Sequence, residues 1–189
     1  VDLCFGTASF LDPHRLLIER PDDRVEHTAD FFVIACGTVP ARPTHIPFDD
    51  QTIIDTDGLL ALTDLPKSIT IIGGGVIGAE YASILATMGI HVTLIERRPR
   101  LLEFVDQETI EALQYHMRSI GVVLRFNEEV VSVERTAGQQ VIVRLKSGKE
   151  IAASTVLYSV GRTGASATLN LHTIGLSADE RGRLTVNEH

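Results

Sequence analysis

Apolar residues along this chain fall into short runs separated by Gly, Pro and Asp, and the spacing of the runs changes character three times. Runs at residues 3–5, 15–20, 25–27 and 31–35 alternate with turn signals, of which Pro21-Asp22-Asp23 is the clearest. This pattern predicts a β-meander. The last run, Phe31-Phe32-Val33-Ile34-Ala35, is continuous enough to predict a strand buried on both faces, ending at Cys36-Gly37-Thr38. Residues 40–50 are rich in proline and polar groups, which predicts a connection between domains, with a boundary within residues 40–65.

The centre of the chain has a different rhythm. A strand ending Thr70-Ile71-Ile72 runs into Gly73-Gly74-Gly75-Val76-Ile77-Gly78, then an apolar helix to Met88-Gly89, then the strand His91-Val92-Thr93-Leu94-Ile95-Glu96. After it, Asp106 is placed to cap a helix whose apolar face is Ile110, Leu113, Met117 and Ile120 and which Gly121 stops. Residues 122–126 then predict a third parallel strand. Runs at 130–135, 140–145 and 150–152, divided by Ala137-Gly138 and Ser147-Gly148, predict a second meander. A last strand at 155–160 ends at Gly161-Arg162, and residues 163–189 carry no clear helix. The expected fold is α/β, a Rossmann-like domain with a β-meander. Its expected limits are 51–157, flanked by partial segments 1–50 and 158–189 of another domain.

The glycines carry the chemistry. Gly73, Gly75 and Gly78 form GxGxxG directly after a strand, and Glu96 ends the next strand at about the twenty-residue distance of a dinucleotide site. Gly73 permits the tight turn, Gly75 lets the backbone approach a pyrophosphate, and Gly78 lets helix and strand pack without a Cβ between them. Free N–H groups at the helix start face the phosphates. Glu96 is placed to accept hydrogen bonds from the adenosine ribose hydroxyls, which favours a free 2′-OH. Lys146-Ser147-Gly148-Lys149 precedes Glu150 rather than Ser or Thr and lies between strand-like runs, so it reads as a hairpin turn and not a phosphate loop.

Composition narrows the function classes. At 189 residues with 44% hydrophobic content the chain can bury a full core, and its formal charge of −8 argues against sequence-independent nucleic-acid binding. No run reaches the length of a membrane span and no secretion signal opens the chain, so a cytoplasmic location is expected. Cys4 and Cys36 form no CxxC pair and are expected to be small buried residues. His14, His27, His45, His91, His116, His172 and His189 show no metal-ligand spacing and are expected on loops or the surface. No nucleophile elbow supports hydrolysis.

The order of meander, apolar strand with Ala35-Cys36-Gly37, complete GxGxxG unit, second meander and closing Gly161-Arg162 resembles the two-dinucleotide flavoprotein oxidoreductases, the class I pyridine nucleotide-disulfide oxidoreductase family. Gly78-Ala79-Glu80-Tyr81-Ala82-Ser83-Ile84, Phe104-Val105-Asp106-Gln107-Glu108 and Arg162-Thr163-Gly164 are similar to its transhydrogenase branch, since many dithiol relatives carry Gly-Arg-x-Pro-Asn at the last point. The resemblance implies exchange of hydride between NADPH and NAD through FAD, in a homo-oligomeric parent whose FAD fingerprint, ribitol contact and dimer domain lie outside residues 1–189. The isolated chain is then expected to be inactive. It also implies that Glu80 lies near the nicotinamide and flavin edge and that Val130 and Gly161 line the two ends of the nucleotide groove. Gly6, Cys36, Gly37 and Thr38 match flavin-side positions, although Cys36 departs from the usual Thr. Use of the phosphorylated cofactor sets Glu96 against a 2′-phosphate; Arg97, Arg98 and Arg100 could offset it with the carboxylate swung out, or simply form a solvated basic turn. Two alternatives remain open: a dithiol-disulfide flavoprotein, marked by a CxxxxC upstream, and a non-catalytic NAD(H) sensor.

Overall fold

A computed structural model describes residues 1–138 and 140–188. His189 lies outside them. The chain forms two compact units, residues 1–39 with 162–189, and residues 40–161.

The unit of residues 40–161 is built on a parallel sheet. Its strands are β5 (Ile53–Ile54), β6 (Ser68–Ile72), β7 (His91–Glu96), β8 (Val123–Phe126) and β12 (Thr155–Tyr158), in the order β5-β12-β6-β7-β8. Helix α1 (Thr56–Leu60) follows β5, α2 (Val76–Thr87) connects β6 to β7, and α3 (Gln107–Ser119) connects β7 to β8. Strands β9 (Val130–Arg135), β10 (Val141–Leu145) and β11 (Glu150–Ala153) make an antiparallel meander, with Lys146 to Lys149 as the expected hairpin turn.

Alternation along each parallel strand sorts side chains onto two faces. Ile54, Ile71, Leu94 and Leu157 join Ala79, Ala82, Leu85 and Met117 of α2 and α3 in one core. Ile53, Ile72, Ile95 and Val156 point the other way and meet Val133, Val141, Val143 and Leu145 of the meander. The sheet is therefore buried on both sides, which explains its nearly unbroken apolar sequence. Asp106 caps α3 as expected, accepting from the Thr109 amide at 3.0 Å, and Gly121 follows with φ +95°.

Residues 40–50 are not a loose connection. Ile46 is buried in the meander-side core, and the Ala41 amide donates to the Gly161 carbonyl at 3.2 Å. Arg42 pairs with Asp50 and with buried Asp55, whose other oxygen caps α1 through the Asp57 and Gly58 amides. Asp49 accepts from the amides of Gln51, Thr52 and Ile53 and from the Thr52 hydroxyl, so the turn into β5 is internally saturated. These contacts lie within the compact unit of residues 40–161.

In the other unit, β1 (Thr7–Asp12), β2 (Arg15–Glu19) and β3 (Arg24–Thr28) form an antiparallel meander, and β4 (Thr38–Pro40) pairs with β13 (Arg162–Gly164). Its first strand begins after residues 3–5, where the sequence placed it. The C-terminal segment is held to β1: the Phe10 amide donates to Leu169, while Asn170 Nδ2 and Thr173 Oγ1 donate to the Phe10 carbonyl. Residues 31–35 do not form the buried strand expected of them. Phe31 and Val33 are 90% and 92% exposed, while Phe32 turns inward against Phe10 with ring centroids 5.3 Å apart. Among the described residues no strand pairs with this segment, so its apolar run has one covered face instead of two. Cys4 and Cys36 are likewise exposed, not buried. Six of the histidines lie on the surface as expected. No helix among the described residues is long and apolar enough to cross a membrane.

Candidate nucleotide-binding site

The glycine turn sits at the C-terminal ends of the parallel strands, between β6 and α2. Gly73 has φ +107°, and its amide donates to the Ile95 carbonyl at 2.9 Å, so the turn is tied to β7. A Cβ on Gly73 would stand 3.0 Å from the Ser159 carbonyl oxygen. At Gly78 a Cβ would overlap the Gly73 carbonyl oxygen and lie 2.9 Å from Ser159 Oγ. Both glycines are therefore required by close packing of turn, helix and β12.

Gly75 differs. It is the N-cap of α2, its φ of −76° is open to any residue, and a Cβ there would meet nothing within 4 Å. No side chain caps the helix and no acidic residue lies in its first turn. The result is an uncapped start of a twelve-residue helix facing open space, a geometry suited to an anion. Val76 and Ile77 begin the helix, Val76 half exposed. Glu80 is exposed and stands one residue beyond the first turn.

Gly74 has a role that the motif does not reveal. A Cβ on it would approach Leu101 Cδ2 to 2.6 Å and Glu96 Oε2 to 3.0 Å, because Glu96 lies over its backbone. The Gly74 amide donates to Glu96 Oε2 at 2.6 Å. Glu96 is only 4% exposed and points inward, not out toward solvent as coexistence with a phosphate was expected to require. Its Oε1 accepts from the Arg98 amide at 3.0 Å and from Arg98 Nε at 2.9 Å, and Oε2 also accepts from Arg98 Nη2 at 3.0 Å. Burial pushes the Glu96 carboxyl up, but the Arg98 guanidinium and the two amides outweigh it and hold the group below its ordinary value.

The neighbouring strand ends complete one edge of the site. The Glu128 amide donates to the Glu96 carbonyl at 3.2 Å and the Asn127 amide to the Arg98 carbonyl at 3.1 Å, bringing the start of β9 and Val130 beside the basic turn. Arg97 is exposed, and its charge acts on Glu129 and Tyr158. Gly161, with φ +87°, follows Ser159, whose hydroxyl donates to the Ile72 carbonyl at 2.9 Å. Glycine turn, Glu96, Arg97, Arg98, Val130 and Gly161 thus belong to one unit. Gly6, Cys36, Gly37 and Thr38 belong to the other. There Gly6 has φ +144°, Gly37 has φ +69° with open space around it, and Arg162 donates to both Thr38 Oγ1 and the Thr38 carbonyl at 2.7 Å. Gly164 and Gly182 approach each other so closely that a Cβ on either would overlap the other's carbonyl oxygen, which accounts for the glycine after Arg162-Thr163.

The chain is similar in sequence and fold to known proteins. The soluble pyridine nucleotide transhydrogenase of Mycobacterium bovis (strain BCG / Pasteur 1173P2) is 44% identical over 190 residues, covering 100% of this chain and 40% of that protein. The protein of the same name from Shigella flexneri is 47% identical over 183 residues, covering 96% of this chain and 39% of its own length. The chain therefore spans about 40% of the length of the curated relatives it matches. Among solved structures, the HOCl-induced flavoprotein disulfide reductase RclA from Escherichia coli aligns with a TM-score of 0.88 at 30% identity, over 98% of this chain and 42% of that one. LpdA from Mycobacterium tuberculosis aligns with a TM-score of 0.87 at 27% identity, over 96% of this chain and 40% of that one. The family model for pyridine nucleotide-disulphide oxidoreductases matches residues 2–189, and with that match the chain belongs to this family.

Proposed function

We propose that residues 40–161 bind a nicotinamide dinucleotide, and that the chain is the NAD(P)-binding part of a FAD-dependent transhydrogenase that exchanges hydride between NADPH and NAD. The observation that carries the first half is Gly75, the one glycine of the motif's three whose missing side chain leaves open space at an uncapped helix start. The pyrophosphate fits there, against the free amides of α2. The second half rests on the 44–47% identity to proteins named soluble pyridine nucleotide transhydrogenases. The flanking residues 1–39 and 162–189 would belong to the flavin side, with Gly6, Cys36, Gly37 and Thr38 as its contacts. A cytoplasmic location and a homo-oligomeric parent are part of the same proposal.

When bound, the flavin supplies the hydride relay between the two nicotinamides. This chain contributes orientation. Adenosine and pyrophosphate held on the rigid β6-α2 turn fix where the nicotinamide ring can lie, which is catalysis by position and requires no proton transfer from residues 40–161. Val130 and Gly161 line the groove, and Glu80, exposed on α2, faces the nicotinamide end in this reading.

Titration of the chain with NADH tests the binding site. Wild-type protein should bind, whereas Gly75→Ser should lose at least about tenfold in affinity, because its hydroxyl would occupy the amides that the phosphates need. Equal binding by the two would end the pyrophosphate assignment. The reaction is tested in the FAD-loaded parent by hydride exchange from NADPH to a spectrally distinct NAD analogue. Exchange without any disulfide supports the transhydrogenase; negligible exchange, with oxidation of the reduced nicotinamide appearing only after a disulfide or lipoamide is added as acceptor, assigns the chain to the dithiol branch.

A further inference from the structure

Glu96 occupies the place from which an acidic residue would meet the adenosine ribose, yet its carboxylate has no acceptor site left to offer. A carboxylate presents about four lone-pair sites. Here the amides of Gly74 and Arg98, together with Nε and Nη2 of Arg98, supply four donors to Glu96. The position is built and not incidental: the carboxylate lies over the Gly74 backbone so closely that a Cβ there would stand 3.0 Å from Oε2 and 2.6 Å from Leu101 Cδ2.

We propose that Glu96 is a positioning residue that anchors Arg98, and that the resulting neutral pair, not the carboxylate, meets the adenosine 2′ position and admits both NAD(H) and NADP(H). This rests on the reading of residues 40–161 as a nicotinamide nucleotide site. The guanidinium spends Nε and part of Nη2 on Glu96 and retains Nη1, whose nearest anion is Glu103 at 3.8 Å, beyond hydrogen-bond reach; the Arg98 side chain is 37% exposed. Those N–H groups can donate to a 2′-phosphate, and equally to a 2′-hydroxyl, which accepts as well as donates. Neither cofactor then faces an uncompensated carboxylate.

The surrounding charge favours the same reading. Glu128 and Glu129 are already paired with Lys149 and Lys146. Within residues 96–103, Arg97, Arg98 and Arg100 stand against Glu96 and Glu103, leaving one positive charge. Arg100 donates to the Glu103 carbonyl and so braces the turn, while Arg97 makes no ion pair within 4.0 Å among the described residues and remains available to a phosphate.

The test is a pair of dissociation constants, for NADH and NADPH, measured on the chain and its variants at one ionic strength. Wild-type constants should lie within about tenfold of each other. Arg98→Gln leaves Glu96 uncompensated and should raise the NADPH/NADH ratio of dissociation constants roughly tenfold or more, with Arg98→Lys recovering part of the loss. Glu96→Gln should lower the ratio by tightening NADPH. Equal losses of both cofactors in Arg98→Gln, or a fall in the Glu96→Gln ratio caused by weaker NADH, overturn the inference. A crystal structure of the NADH complex gives a variant-free answer: the Glu96–Arg98 pair should persist, and a hydrogen bond from the ribose to Glu96 overturns it. If neither nucleotide binds wild-type protein, the site assignment itself falls, and that failure is distinct from the preceding ones.

Discussion

The two units use similar apolar sequences to different ends. Ile71, Leu94 and Leu157, on adjacent strands of the parallel sheet, are fully buried because helices cover one face and a meander the other. Leu3, Phe5, Phe31 and Val33 are as apolar, yet each is more than three-quarters exposed. Burial follows from having a neighbour on each face, which composition cannot report. The unit of residues 40–161 meets that condition with its own residues, so its glycine turn is held by a complete core. In the other unit the apolar residues 31 and 33 have no such cover among the described residues.

The largest expected effect breaks the contrast directly. Leu94→Ala should lower the unfolding free energy by about 2–5 kcal/mol in urea denaturation, as transfer and cavity costs add at a fully buried site. A loss under about 1 kcal/mol would mean that the sheet core is less tightly packed than described.

The second contrast lies inside the glycine motif. Gly78→Ala forces helix and turn apart and should cost about 1–3 kcal/mol. Gly75→Ser should leave stability within a few tenths of a kcal/mol, since serine is a good N-cap, while removing nucleotide affinity. Thermal melting beside NADH titration separates the two, and a destabilised Gly75→Ser would show that its open space is not free.

Acid should act on residues 40–161 through carboxylates held low by the fold. Burial pushes Asp49 up, but the amides and hydroxyl it accepts lower it from 3.8 to about 2, and Asp55 and Glu96 are lowered in the same direction. A depressed folded value stabilises the protein above the unfolded value, and the benefit disappears as pH falls through the folded one. Asp49 alone should account for about 2 kcal/mol lost between about pH 4 and pH 2. Urea midpoints measured across that range for wild type and Asp49→Asn check this: the variant should show a shallower acid dependence.

The smallest effect is expected at Phe31. Phe31→Ser should change stability by no more than about 0.5 kcal/mol in the isolated chain, because the ring leaves little water-excluded contact behind. A cost comparable to that of Leu94→Ala would reveal a contact that its exposure does not show.

Much of the site was legible because its signals are local. A strand, GxGxxG, an apolar helix and a second strand ending in Glu96 must fold as a β-α-β unit, since turn geometry and helix packing act between near neighbours in sequence. The cap at Asp106, the stop at Gly121 and the hairpin after β10 were legible for the same reason. Residues 40–55 were not, because proline and polar content there mimics a linker while Ile46, Arg42, Asp49 and Asp55 earn their order from partners brought in by the fold. Residues 31–35 misled in the opposite direction, since a continuous apolar run states a preference for burial but not the presence of two covering layers.

Sequence by itself determined the periodicities and the β-α-β unit around the glycine motif, because these depend on spacing along one chain. Tertiary structure alone decided what packs against Gly73 and Gly74, since that depends on Ser159 and Leu101 arriving from distant strands and loops. It also decided what Glu96 can do. Its identity marks it as an acceptor, but only the fold places four donors on its two oxygens and leaves Arg98 facing outward in its stead.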